Sequence, residues 1–257
     1  MSKISQKNFV FSVTDYSSPI IITVPHGGLS QAYASWLENF FQTRQTISSA
    51  SPLKDLSASE TICTGGDQNI WHIAADILKV YSANAIMGLL PRAYVDYNRF
   101  TPEIAYADQR LESYYTYYHE RIGQLIQKLL LIHQKVILLD LHGFAKQPIE
   151  GRTFDLIIGT NNGETTPNKF DVQIYDRLKS EYQIFCAGCD GWPKESEAYK
   201  GDTTNLHYHR KYGVDSLLLE ISPRFRNPTI ENSREKGIKL AGDLARCFKE
   251  LAERLGN

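Results

Sequence analysis

The sequence has no long hydrophobic run, because no stretch approaches the roughly 20 apolar residues that a membrane-spanning helix needs. Its first residues, MSKISQKNFVFSV, lack the apolar segment of a secretory signal peptide. Neither sign of charge is in excess, since 28 Lys and Arg face 29 Asp and Glu. This balance does not favour binding to nucleic acid or to a membrane surface. We therefore expect a soluble, cytoplasmic protein that binds a small molecule.

Cysteine is also scarce. Cys63, Cys186, Cys189 and Cys247 are too few and too scattered for a disulfide framework in 257 residues. Reduced thiols are therefore expected. Cys186 and Cys189 have CxxC spacing, but no second pair accompanies them, so a redox or structural-zinc role is not favoured.

Internal repeats, low-complexity tracts and linkers rich in Pro, Gly or Ser are absent from the sequence. A chain of 257 residues that is 42% hydrophobic can bury a sizeable core. We therefore predict one domain over residues 1–257.

Strand-like apolar runs alternate with helical patterns along the chain. The runs cover residues 20–24, 85–87, 136–140, 156–158 and 216–221. Apolar residues recur at helical spacing over residues 67–78, 101–129 and 238–255. This alternation predicts an α/β fold with a parallel or mixed sheet that helices cover on both faces. In such open sheets, ligands bind beyond the carboxyl ends of the strands.

Three of the strand-like runs end in reactive groups: His26 in VPHGG, His142 in LLDLHGF and Glu220 in LLLEIS. Two imidazoles and a carboxylate are the ligands and the base that a catalytic zinc site needs. The alternative for each histidine is a hydrogen-bonded structural residue beside a turn. The alternative for Glu220 is a buried salt bridge to Arg224 or Arg226.

A catalytic zinc ion usually has a third protein ligand. Asp67 in CTGGDQN is the candidate, because it follows two glycines and stands at a predicted helix start. Asp is also a favoured N-cap residue, which explains its position without a metal. Glu60 is the second candidate.

The segment RAYVDYNRF places Arg92, Asn98 and Arg99 close together. Arginine can hold a carboxylate in a bidentate fork, and asparagine can add a donor. The alternative is a surface ion pair between Arg99 and Asp96 or Glu103, which would contribute little.

Six motifs in the same order resemble the N-formylglutamate amidohydrolase family: VPHGG, GGD, RAYVDYNR, LLDLHGF, YKGDTTNLHYHRKYG and LLLEIS. The resemblance covers residues from about 20 to 226. This family is similar in fold to the zinc carboxypeptidases. The resemblance implies an α/β, phosphorylase/hydrolase-like fold with a mixed, mostly parallel twisted sheet of about eight strands between helices.

The resemblance also implies roles for single residues. His26 and His142 would bind the metal, Glu220 would be the general base, and Asn98 and Arg99 would hold the substrate carboxylate. The carboxypeptidases place a glutamate three residues after the first histidine, where this chain has Leu29. The third ligand is therefore assigned to Asp67 by inference. His209, in the motif before Glu220, is assigned to substrate binding.

The sequence thus predicts a zinc-dependent amidohydrolase acting on an N-acyl, and specifically N-formyl, acidic amino acid such as N-formylglutamate. One zinc ion per chain would activate water, Glu220 would take its proton, and Arg92 would help to stabilise the oxyanion. Nickel and cobalt are also compatible with such ligands. Two alternatives remain open: a zinc carboxypeptidase-like peptidase, and a non-catalytic metal- or carboxylate-binding module. The oligomeric state is left open.

Overall fold

In the part of the chain that the structure describes, seven strands form one central mixed sheet. The computed structural model describes residues 9–27, 67, 69–90, 92, 94–186, 189, 199–201 and 203–255. The strands in these residues are β1 Val10–Val13, β2 Ile20–Val24, β3 Asn84–Gly88, β4 Ile137–Gly143, β5 Leu156–Gly159, β6 Ile184–Cys186 and β7 Asp215–Ile221. Their order in the sheet is β1-β3-β2-β4-β7-β5-β6. The predicted α/β class is confirmed, with seven strands in the described residues where about eight were predicted.

Helices cover both faces of the sheet. They are α1 Ile70–Val80, α2 Pro102–Ala105, α3 Glu112–Leu130, α4 Phe170–Leu178, α5 Thr204–Tyr212 and α6 Ser233–Leu255. Helices α1, α4 and α6 pack on the face that carries Ile20 and Ile22, whereas α3 and α5 pack on the face that carries Ile21. This alternation is the side-chain period of a strand buried on both faces. None of the described helices has the length and apolarity that a membrane crossing requires.

The four central strands are parallel to one another. β3, β2, β4 and β7 pair in parallel, whereas β1 and β5 join the sheet in antiparallel orientation. In the register, Thr23 of β2 lies beside Asp140 of β4, and His142 of β4 lies beside Glu220 of β7. The carboxyl ends of these parallel strands share one edge, so the residues at their ends lie close together.

The long helix predicted from Thr101 is interrupted. α2 ends at Ala105, and Tyr106 is extended and pairs with Val95 in an isolated bridge. The side chain of Asp108 then accepts a hydrogen bond from the backbone N–H of Arg110, which starts a 3-10 turn before α3. The prediction of one continuous helix was therefore wrong, because local pairing and side-chain capping replace helical bonds there.

Cys186 and Cys189 are joined by a disulfide. β6 ends at Cys186, and the backbone N–H of Cys189 donates to the Cys186 carbonyl at 3.1 Å. The Cα atoms of Cys186 and Cys189 are 5.4 Å apart, a usual separation for a disulfide. The expectation of reduced thiols was wrong for this pair, and Cys247 is free and buried.

Two glycines of α6 provide a matched pair of stability predictions. A Cβ on Gly237 would lie too close to the carbonyl oxygen of Phe225, whereas the nearest atom to a Cβ on Gly242 is Arg246 Nη1 at 3.6 Å. We expect Gly237→Ala to lower the free energy of unfolding by about 1–3 kcal/mol. Gly242→Ala should raise it by about 0.5–1 kcal/mol, because alanine loses less backbone entropy in a helix. Urea unfolding measures the free energy of unfolding of both variants. If it changed in the same direction in both, the packing of α6 described here would be contradicted.

Candidate metal centre

His26, Asp67 and His142 meet in one buried cluster. Asp67 Oδ2 contacts Nδ1 of His26 and lies 3.1 Å from Nδ1 of His142. One ligand atom from each of the three residues lies within 4.8 Å of the others. All three side chains are buried. The structure therefore brings together the three residues that the sequence analysis selected as metal ligands.

Different elements place these three side chains. His26 lies two residues beyond β2, in the turn where that strand ends, and His142 is the sixth residue of β4. Asp67 lies before α1, and its Oδ1 accepts a hydrogen bond from the backbone N–H of Gly143 at 3.2 Å. The N-cap position of α1 is Asn69. Asp67 is therefore not the cap of α1, and its carboxylate contacts the histidines.

The other candidate for the third ligand cannot be compared with Asp67, because Glu60 lies outside the described residues. Assignment of the third ligand therefore depends on the contacts of Asp67 alone.

Each histidine of the cluster has a second carboxylate on its other ring nitrogen. His26 Nε2 lies 2.8 Å from Asp96 Oδ1, and His142 Nε2 lies 3.1 Å from Asp140 Oδ2. Carboxylates in this position orient the imidazole of a metal-binding histidine and increase its basicity. Neither aspartate was expected at the metal centre from the sequence.

These carboxylates determine the protonation of the cluster. Burial alone would lower the pKa of His26 and of His142, but the neighbouring aspartates raise both above the ordinary value. Burial alone would raise the pKa of Asp67, but the two histidines hold it well below its ordinary value. The aspartates therefore stabilise positive charge on the two imidazoles.

Glu220 lies next to this cluster, where His142, His26 and Arg226 attract its carboxylate but none of them forms an ion pair with it in the described residues. It is the register neighbour of His142 on β7 and is 7% exposed. Its Oε2 is buried and has no hydrogen-bond partner among the described residues. Burial raises the pKa of Glu220 to about 7, although His142 partly offsets the effect.

The alternative explanation for Glu220 was a salt bridge to a nearby arginine. Arg224 instead donates to Asp155 at 2.7 Å. Arg226 donates from Nε to the Ile221 carbonyl at 3.0 Å and from Nη2 to the Phe144 carbonyl at 2.8 Å. Within the described part of the chain, Glu220 forms no ion pair, which favours a chemical role over a structural one.

Asp96, which contacts His26 of the metal cluster, also lies close to Arg92, Asn98 and Arg99. Arg92 Nε lies 3.0 Å and Arg99 Nε lies 3.6 Å from Asp96 Oδ2, and both arginine side chains are more than 40% exposed. Asn98 Oδ1 accepts hydrogen bonds from the hydroxyls of Thr203 and Thr204. Because Asp96 is buried and also contacts His26, this group is more than the surface ion pair of the alternative explanation.

His209 lies apart from this group. Its Nδ1 is 2.8 Å from the carbonyl oxygen of Val214, directly before the start of β7. Glu220 is near the other end of the same strand. The substrate-binding role of His209 stays a prediction, and its position does not support it.

The residues of the cluster fit a zinc ion. Two imidazole nitrogens and one carboxylate oxygen are a ligand set of catalytic zinc sites, in which a fourth position stays open. The aspartates behind both histidines match the outer shell of such sites. Such sites also require a general base, and the buried Oε2 of Glu220, without a hydrogen-bond partner in the described residues, is a carboxylate oxygen available for that role.

Comparison with known proteins agrees with the last three of the six motifs, LLDLHGF, YKGDTTNLHYHRKYG and LLLEIS. The model of the N-formylglutamate amidohydrolase family matches residues 102–225, which include His142 and Glu220. A crystal structure of N-formylglutamate amidohydrolase from Ralstonia eutropha JMP134 is similar at a TM-score of 0.66 and 15% identity, covering 96% of this chain and 97% of that one. A gene product of Agrobacterium tumefaciens has a TM-score of 0.60 at 15% identity, with 96% of each chain covered.

No curated protein matches the chain. The two solved structures extend the similarity in fold to nearly the whole chain. The resemblance of this chain to the N-formylglutamate amidohydrolase family is thus confirmed, by the family model over residues 102–225 and by fold beyond them.

Proposed function

We propose that this protein is a zinc-dependent amidohydrolase that cleaves the N-formyl group from an acidic amino acid such as N-formylglutamate. The observation that carries the proposal is the buried cluster of His26, Asp67 and His142, beside which Oε2 of Glu220 is buried without a hydrogen-bond partner in the described residues. The family match supports hydrolysis of an amide bond.

The zinc ion would be held by one nitrogen of each histidine and by the carboxylate of Asp67. When bound, it supplies Lewis acidity, which makes a nearby water more acidic and polarises the acyl oxygen of the substrate. The ligand set also suits nickel or cobalt. Which metal is bound therefore depends on the metals available as well as on the affinity of the site.

Glu220 moves the proton in this scheme. Its carboxylate takes a proton from the attacking water and delivers it to the nitrogen of the leaving amine. Burial supports this role, because a carboxylate whose pKa is raised to about 7 can both accept and release a proton near neutral pH.

The arginines next to Asp96 would bind the negative charges of the substrate. Arg92 and Arg99 each direct Nε towards Asp96, and a guanidinium group has further N–H donors for a second carboxylate. Arg99 and Asn98 would hold the α-carboxylate, and Arg92 would stabilise the negative charge that develops on the acyl oxygen. These cations favour a dianionic substrate, which an acidic N-acyl amino acid is.

Replacement of Arg99 tests carboxylate binding. We expect Arg99→Met to raise KM for N-formylglutamate by about 10- to 100-fold, because a hydrogen bond to a charged group contributes about 1.5–3 kcal/mol. The value of kcat should change much less. Arg210→Met is the matched control, because Arg210 is exposed and pairs with Glu164. An unchanged KM in Arg99→Met would contradict this role.

A substrate panel tests the reaction itself. Zinc-loaded protein is assayed with N-formyl-L-glutamate, N-acetyl-L-glutamate, N-formyl-L-leucine and a blocked dipeptide with a free C-terminal carboxylate. The proposal predicts the highest kcat/KM for N-formyl-L-glutamate. Cleavage of the dipeptide alone would select the peptidase, and binding of zinc and glutamate without any hydrolysis would select the non-catalytic module.

A further inference from the structure

A second buried carboxylate lies behind His142 and is not one of the three candidate ligands. Asp140 is 0% exposed, and its Oδ2 lies 3.1 Å from His142 Nε2. Its Oδ1 accepts a hydrogen bond from the hydroxyl of Thr23 at 2.6 Å. Thr23 is also fully buried, and it is the register neighbour of Asp140 on β2. Each oxygen of Asp140 thus has its own partner.

This arrangement determines which nitrogen of His142 can bind a metal. Nδ1 faces Asp67, so Nδ1 is the nitrogen available to the metal and Nε2 must carry the ring proton. Asp140 accepts that proton in a hydrogen bond, which fixes the tautomer and the ring orientation. The Thr23 hydroxyl prevents rotation of the carboxylate, because rotation would break a buried hydrogen bond.

The two aspartates behind the histidines differ in their other partners. Asp96 also pairs with Arg92 and Arg99, which balance its charge. Among the described residues, the one ion pair of Asp140 is with His142. A buried carboxylate is costly without a counter-charge. The charge of Asp140 therefore acts mainly on His142 and on whatever cation His142 binds.

We propose that Asp140, held in place by Thr23, is a positioning residue that fixes His142 as a metal ligand and sets the strength of zinc binding. This inference rests on the proposed function, because it requires a metal at His142. It concerns metal affinity and not the chemical step, so it can be tested without a substrate.

The test is the dissociation constant for zinc, measured by competition with a chromophoric chelator. We expect Asp140→Asn to weaken zinc binding by about 10- to 100-fold, the usual effect of losing such an outer-shell partner. Thr23→Val keeps the carboxylate and should give a smaller loss. Asp215→Asn is the matched control. Asp215 is also a buried carboxylate, but it lies at the start of β7, away from Glu220, and accepts a hydrogen bond from Asn168. It should leave zinc affinity unchanged.

A spectroscopic measurement separates positioning from packing. In the zinc-loaded protein, Asp140→Asn should shift the NMR resonance of the His142 Nε2 proton, whereas Asp215→Asn should not. Wild-type affinity in Asp140→Asn would overturn the inference. If that variant does not fold, an unchanged affinity in Thr23→Val overturns it equally. A wild-type protein that binds no zinc would contradict the proposed function itself, and the inference with it.

Discussion

Replacing Glu220 with glutamine is expected to lower kcat by about 10²- to 10⁴-fold, the usual contribution of a general acid–base group. Glutamine keeps the shape of the side chain but cannot take a proton from water. The zinc content should not change, because Glu220 is not one of the three clustered ligands. Steady-state kinetics and elemental analysis of the same preparation measure both quantities.

The folded protein should tolerate this change. Glu220 makes no ion pair in the described residues, and neutralising a buried, unpaired carboxylate removes a desolvation cost. Thermal unfolding should therefore show a Tm at or above the wild-type value. Glu164→Gln is the control, because Glu164 is exposed and pairs with Arg210. Wild-type kcat in a folded, zinc-loaded Glu220→Gln protein would show that Glu220 is not the base.

Replacing Asp67 with alanine is expected to abolish zinc binding and turnover together. Asp67 contacts both histidines and supplies the one carboxylate of the described metal cluster. Without it, two imidazoles remain, which is fewer than the three protein ligands of catalytic zinc sites. Elemental analysis after dialysis against zinc measures the loss.

The control for Asp67 is another aspartate of the same region. Asp76 lies on α1, is buried, pairs with Lys79 and Arg234, and is not one of the three clustered residues. Asp76→Ala should retain zinc even if it loses some stability. Zinc retained in full by Asp67→Ala would reopen the assignment of the third ligand, with Glu60 as the remaining candidate.

The sequence predicted the strands that carry the chemistry because their patterns are simple. β2, β4 and β7 are buried along their whole length and therefore appear as mostly apolar runs, which few polar residues interrupt. Parallel strands place their carboxyl ends at one edge, so His26, His142 and Glu220 were expected to lie together. The resemblance to a known family then added roles for Asn98 and Arg99.

Other elements could not be predicted in this way. β6 has three residues and β1 has four, with Phe11 of β1 46% exposed at the sheet edge. Three residues are too few for a periodic signal, and β1 is mostly exposed, so it lacks the apolar run that marks the equally short but buried β5. The break after α2 depends on pairing between Val95 and Tyr106, which apolar spacing does not encode.

The roles of Asp96 and Asp140 were missed for a different reason. Asp96 contacts His26 across 70 residues of chain, a pairing that requires the folded sheet. For Asp140 a signal was present: it is an acid inside an apolar run, the same argument that selected Glu220. If every acid in a buried strand had been treated as Glu220 was, Asp140 would also have been predicted as a functional residue.

The most direct test of the central claim is the metal dependence of N-formylglutamate turnover. Purified protein is assayed as prepared, after removal of metal with a chelator, and after addition of zinc. The account predicts turnover that is lost on chelation and restored by zinc. Turnover that survives complete removal of metal, or no turnover in a protein that contains zinc, would contradict it.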